Sequence, residues 1–185
     1  DDSVTLGPGR DRVKLGKGDD VAYLGAGDDR AEGDDGHDLI FGQAGDDRID
    51  GDQGNDIVVG GDGDDRIDGD RGTDLLIGGL GVDRIRGGND DDLLIAGWTV
   101  YDNQRSLLQV ILTEWSSDQD YSIRVANLRN GTGDHLDGVN LTAGATVFDD
   151  QSQDNLDGDA GRDWFFASLE DRLKKKKKDE FFDLL

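Results

Sequence analysis

The chain of 185 residues carries 43 Asp and Glu against 20 Lys and Arg, a formal charge of -23, and only 34 % of its residues are hydrophobic. That balance argues against nucleic acid and anionic membrane and in favour of cations as partners, while 29 glycines among so few apolar side chains leave a thin core. Without Cys there is no disulfide framework or thiol chemistry, and the sequence has no run of about 18 apolar residues and no hydrophobic leader.

From the first residue the chain is periodic. Stepping by nine lands on Asp2, Asp11, Asp20, Asp29, Asp38, Asp47, Asp56, Asp65, Asp74, Asp83 and Asp92, so position 6 of each unit is always Asp. Position 8 is always aliphatic, from Val4 and Val13 through Ile40, Ile49 and Ile67 to Leu94. Position 4 is Gly9, Gly18, Gly27, Gly36, Gly45, Gly54, Gly63, Gly72 and Gly81, with Asp90 the one departure, which is expected to disturb the turn before Asp92. Position 1 is Leu6, Leu15 and Leu24 in the early units, and Asp34, Gln43, Asp52 and Asp70 stand at position 2. A disordered acidic linker predicts no such phase relation. Each unit reads as a six-residue turn, in which glycine opens backbone angles closed to other residues, followed by a three-residue strand with one side chain inward and two outward.

The units GQAGDDRID and GGDGDDRID match the pattern G-G-x-G-x-D-x-U-x, and residues 2 to 95 resemble the RTX, or haemolysin-type, calcium-binding repeats. The resemblance implies an all-β fold, a right-handed parallel β-roll in which two units make one coil and turns 18 residues apart stack. It also implies that position 6 supplies carboxylates, and the glycine-rich turns supply carbonyls, to Ca2+. One row would use Asp20, Asp38, Asp56, Asp74 and Asp92, the other Asp11, Asp29, Asp47, Asp65 and Asp83. Four successive pairs per row give about eight ions, whose charge would bring -23 to about -7. Metal binding and folding would then be one equilibrium. Magnesium fits less well because it keeps its waters and wants an octahedron. Zinc would want His or Cys, and His37 and His135 both read as solvated.

After Ile95 the phase stops. QRSLLQVILTEWSS places Leu107, Leu108, Ile111 and Trp115 at helical spacing, and DYSIRVANL reads as a second helix or a strand. The frame returns in DDQSQDNLDGDAGRDWFF, with Asp154 and Asp163 at position 6 and Gly158 and Gly161 in the turn, adding two candidate ligands. The expected organisation is a roll over 1–95, a helix-containing insertion or cap over 96–148, and one or two further turns plus a tail over 149–185. Trp98, Trp115, Trp164, Phe165 and Phe166 are the large apolar residues available to cover the last coil, making a small α-containing C-terminal cap. DWFFASL is similar to C-terminal capping sequences of large secreted bacterial RTX proteins.

The tail holds five lysines, Lys174 to Lys178, which read as a solvated face or a basic contact patch. Its end, Phe181, Phe182, Leu184 and Leu185 after acids, resembles the terminus of type I secretion substrates. No G-x-S-x-G elbow, H-E-x-x-H or P-loop occurs, so no enzyme is expected. Asp1 at the start and the lack of Met suggest either a processed product or a segment of something longer. The resemblance implies a secreted, extracellular or cell-surface module that folds on meeting calcium, attached to a larger upstream polypeptide. The alternative is a self-associating structural subunit built by stacking of rolls.

Overall fold

A computed structural model describes residues 1–133, 136–174 and 180–185. In chain order the first eleven strands are β1 (Ser3–Thr5), β2 (Arg12–Lys17), β3 (Val21–Ala26), β4 (Arg30–Asp35), β5 (Leu39–Ala44), β6 (Arg48–Asp50), β7 (Ile57–Asp62), β8 (Arg66–Arg71), β9 (Leu75–Leu80), β10 (Arg84–Asn89) and β11 (Leu93–Ile95). Successive strands alternate between two parallel sheets, so each pairs with the strand 18 residues on, as Ile40 does with Val58 and Ile49 with Ile67. The result is a parallel β-roll.

The chain then leaves the roll through β12 (Trp98–Thr99), α1 (Arg105–Trp115), α2 (Tyr121–Asn130) and β13 (Val147–Phe148), the last antiparallel to β12. It re-enters as β14 (Asn155–Asp159) and β15 (Trp164–Ala167). Ile85 pairs with Leu156 and Leu94 with Phe165, so the coil closes as if the intervening residues were absent. The tail adds β16 (Arg172–Lys174) and β17 (Phe181–Leu184), which give an eight-stranded sheet β1-β3-β5-β7-β9-β11-β15-β17 and a seven-stranded sheet β16-β14-β10-β8-β6-β4-β2. Leu156 pairs with Leu173 and Phe165 with Phe182, so this last coil is one residue shorter than the others. The sequence had offered no strand here; the acid-then-hydrophobic terminus is built into the roll.

Two cores follow from the side-chain alternation of the strands. Inside the roll, Ala22, Ala31, Ile40, Ile49, Val58, Ile67, Leu76, Ile85, Leu94, Leu156 and Phe165 are buried, all at position 8, joined by Leu24 at position 1. Outside it, the flanking positions of the eight-stranded sheet are also apolar: Leu39, Phe41, Ile57, Val59, Leu75, Ile77, Leu93, Ile95, Trp164 and Phe166. The two helices lie on this outer face, burying Leu108, Ile111, Trp115, Tyr121, Val125 and Leu128 against it. DYSIRVANL is therefore helical, and it ends at Gly131, whose φ of 63° makes a left-handed cap. The helices run along the outer face of the eight-stranded sheet as far as its last strand, where Tyr121 packs on Phe181 at 5.4 Å and Arg129 donates to Asp183 at 2.8 Å. Trp115, Trp164, Phe165 and Phe166 are fully buried, whereas Trp98 is 37 % exposed and stacks on Phe148 at 4.5 Å.

Asp91 ties insertion to roll. Its carboxylate accepts from Arg124 Nη2 at 2.5 Å and from the Arg162 backbone N–H at 2.8 Å, and its carbonyl accepts from Trp115 Nε1 at 2.7 Å. Arg124 also lies 4.8 Å over the Trp115 ring and donates to the Trp115 carbonyl.

Candidate metal centre

The aspartates at position 6 stand just before each strand and form two columns, one along each sheet. Every step in a column has the same bond, in which the backbone N–H of one Asp donates to Oδ1 of the Asp one coil on, at 2.7–3.0 Å. In one column this links Asp20, Asp38, Asp56, Asp74, Asp92 and Asp163. In the other it links Asp11, Asp29, Asp47, Asp65, Asp83 and Asp154. Asp11, on the first coil, is only partly buried. The second column goes on to Asp171, which sequence reading missed because the spacing from Asp163 is eight rather than nine.

The other carboxylate oxygen carries the chemistry. Among the described residues, Oδ2 of Asp20, Asp29, Asp38, Asp47, Asp56, Asp65, Asp74, Asp83, Asp92 and Asp154 is buried and has no hydrogen-bond donor. A buried carboxylate in that state needs a cation or a proton. Burial raises Asp38 and Asp47 to about 6, Asp65 to about 7, Asp83 and Asp154 to about 8 and Asp56 to about 9, with neighbouring aspartates in the column pushing the same way. Asp74 and Asp92, one coil apart in the same column, are also pushed up by burial.

Glycine at position 1 makes room for this oxygen. A Cβ at Gly60 would lie 2.3 Å from Asp65 Oδ2 and 2.5 Å from the Gly78 carbonyl; at Gly69 it would lie 2.3 Å from Asp74 Oδ2 and 2.6 Å from the Gly87 carbonyl. From Gly33 to Gly78 the space beside each position 1 glycine thus gathers a carboxylate oxygen of its own unit and a backbone carbonyl from the next coil, the hard oxygen donors that Ca2+ takes. Among the described residues no three His, Cys, Asp or Glu side chains converge on one point. A cation held here would draw part of its shell from turn carbonyls.

Position 4 is needed for the stacking itself. The turn glycines Gly9, Gly18, Gly27, Gly36, Gly45, Gly54, Gly63, Gly72 and Gly81 all have φ between 115° and 149°. A Cβ on Gly63 would meet the Gly45 carbonyl at 2.4 Å. Asp90, expected to disturb its turn, does not: it takes a left-handed φ of 74°, and Asp92 keeps both ladder bonds. Asp34, Gln43, Asp52 and Asp70 at position 2 likewise adopt φ of 67–78°, a region that aspartate tolerates better than most residues.

Sequence reading also missed a second ladder, at position 5. It runs in the opposite sense, the side chain accepting from the backbone N–H one coil on. Asp19 accepts from His37, His37 Nδ1 from Asn55 at 2.7 Å, and Asn55 from Thr73; Asp46 accepts from Asp64, and Asp64 from Val82. His37 is exposed as expected, but it is a rung of this ladder. The signal was present, since position 5 is Asp, Asn or His in every unit from Asp19 to Asp64. His135 and Lys175 to Lys178 lie outside the described residues.

The family model of the RTX calcium-binding nonapeptide repeat matches residues 1–31, 23–58, 41–76, 68–98 and 146–171. No curated protein matches the chain. The matched segments are those that build the roll, they stop where the helices begin and they resume where the coils resume. Covering residues 1–98 and 146–171, well over half of the sequence, they make this chain a member of the RTX calcium-binding nonapeptide repeat family.

Proposed function

We propose that the two columns of position 6 aspartates, with carbonyls of the adjoining turns, are the calcium ligands of this chain, and that ligation drives its folding. The observation that carries this reading is the set of ten buried Oδ2 atoms without a donor. When bound, Ca2+ supplies divalent positive charge that offsets their mutual repulsion. The residues do the rest: the glycines at positions 1 and 4 let turns close to within contact, and Oδ1 fixes each carboxylate by its bond to the preceding coil. About eight ions fit between Asp11 and Asp92, and the continuation of both columns through Asp154, Asp163 and Asp171 offers further places.

In this reading the chain is a calcium-triggered folding and stability module of a secreted, extracellular or cell-surface protein, unfolded where calcium is scarce and folded where it is plentiful. Extracellular modules bind with dissociation constants on the order of 0.1–1 mM, and the same range is expected here. Far-UV circular dichroism during a calcium titration from chelator to about 10 mM tests it, with magnesium as control. A cooperative gain of β structure specific to calcium is the expected result. A chain already folded in chelator, or unchanged by calcium, would end this reading.

A further inference from the structure

The outer face of the seven-stranded sheet differs from that of its partner. Its outward positions are Arg12 and Lys14, Arg30 and Glu32, Arg48 and Asp50, Arg66 and Asp68, Arg84 and Arg86, Asn155 and Asp157, Arg172 and Lys174. Those fourteen residues comprise nine bases and four acids, a net of +5 on a chain whose total is -23. Arg12, Arg30, Arg48, Arg66 and Arg84 are paired strand to strand in register, so five arginines rise from one column of backbone positions at the inter-strand spacing of about 4.8 Å.

Ion pairing within the face does not hide this charge. The acids are recessed: the side chains of Asp68, Asp50, Glu32 and Asp157 are 11, 13, 16 and 26 % exposed. The bases paired with them project, from 38 % for Arg30 and 45 % for Arg48 to 65 % for Lys174 and 66 % for Arg12. Arg66 and Arg84 are exposed, and among the described residues neither has a carboxylate within ion-pair distance. Both margins of the strip are acidic, with Asp28, Asp46 and Asp64 before the strands and Asp34, Asp52 and Asp70 after them.

We propose that this arginine column is a docking strip for a linear acidic polysaccharide running across the strands, one anionic group meeting each guanidinium. Arginine presents a planar fork that holds a carboxylate or sulfate through two bonds, which suits a regular row of such groups. The occupant must be thin, because the acidic margins repel a flat anionic bilayer and the second strand of a nucleic acid duplex. A sugar chain with an anion on every residue places its charges at a repeat close to that of the strands.

The test uses the full chain in saturating calcium and measures binding to chondroitin sulfate, hyaluronan, neutral dextran and duplex DNA at several salt concentrations. Chondroitin sulfate, charged on every sugar, should bind more tightly than hyaluronan, charged on every second one, and dextran should not bind. The triple variant Arg48→Ser, Arg66→Ser, Arg84→Ser should weaken binding by at least about tenfold, the single variant Arg66→Ser should weaken it measurably, and Arg105→Ser, on the insertion, should leave it unchanged. Circular dichroism in calcium checks that each variant is folded. Absence of polysaccharide binding overturns the proposal, and so does DNA binding of equal strength. Binding that the triple variant retains would reveal calcium bridging through the acidic turns, which also overturns it.

Discussion

Glycine at position 1 and aspartate at position 6 of one unit compete for one space, and that competition makes sharp predictions. Gly69→Ala puts a methyl group against Asp74 Oδ2 and the Gly87 carbonyl, so it should destabilise the calcium-loaded fold by about 1–3 kcal/mol and raise the calcium midpoint. Gly7→Ala is the control; nothing lies within 4 Å of a Cβ there, and the change should stay within about 0.5 kcal/mol. Thermal melts at fixed calcium decide both. Asp56, raised to about 9 chiefly by burial and then by Asp74, should show opposite effects in the two states. Asp56→Asn removes a carboxyl that must take up a proton or stay a buried anion when the chain folds without metal, so in chelator it should favour the folded chain by about 1–3 kcal/mol, while in calcium it should shift the titration to higher concentration. A variant that weakens folding in both states would place Asp56 outside the metal sites. The same raised values fix a pH dependence. Groups whose folded pKa lies above the ordinary carboxylate value of about 3.9 contribute stability that is complete below that value and lost as pH climbs through the folded pKa. With Asp38 and Asp47 at about 6 and Asp56 at about 9, β structure in chelator should be greater at pH 5 than at pH 8. In saturating calcium the signal should persist at pH 8.

The two helices exist at the expense of a sheet face that would otherwise be apolar and wet. α1 contributes Leu108 and Ile111, each essentially buried, and α2 contributes Val125 and Leu128. Leu108→Ala should therefore cost about 2–5 kcal/mol, whereas Ile123→Ala, at a residue 46 % exposed on the same pair of helices, should fall within about 0.5 kcal/mol. Calcium-saturated melts of the two variants separate them; equal losses would mean that the helices do not pack as described. The attachment through Asp91 is electrostatic as well as apolar, because Arg124 meets its carboxylate while packed on Trp115. The unequal outer faces were legible in the sequence at a period of 18 rather than nine: Leu39, Ile57, Leu75 and Leu93 at position 7 alternate with Arg30, Arg48, Arg66 and Arg84. That second period says which sheet is covered and which faces solvent.

Across the whole molecule, the proposed coupling of calcium to folding turns on charge. At -23 the empty chain repels itself, so in chelator its radius of gyration should approach the roughly 46 Å of an unfolded chain of this length, falling in calcium toward the roughly 16 Å of a compact one. Small-angle scattering across the calcium titration measures this, and a radius unaffected by calcium would separate folding from ligation. Among the described residues no helix is long and apolar enough to cross a membrane. The continuous stack from β1 to β17 makes nearly every strand depend on the coil beside it, so unfolding should spread from the ends.

What the sequence determined by itself is everything that repeats: the strands, the inward position 8, the turn glycines and both columns of aspartate, because a nine-residue unit leaves the same steric problem at each coil and the same residues solve it. Tertiary structure decided what does not repeat. The insertion's resting place depends on which outer face is apolar, and the continuation into Asp171 and β17 depends on a coil one residue short, which breaks the phase on which the reading relied. Turns with Asp or Gln where glycine was expected were settled by backbone geometry, since stacking on neighbouring coils holds Asp90, Asp52 and Gln43 in a left-handed conformation that they would seldom adopt alone.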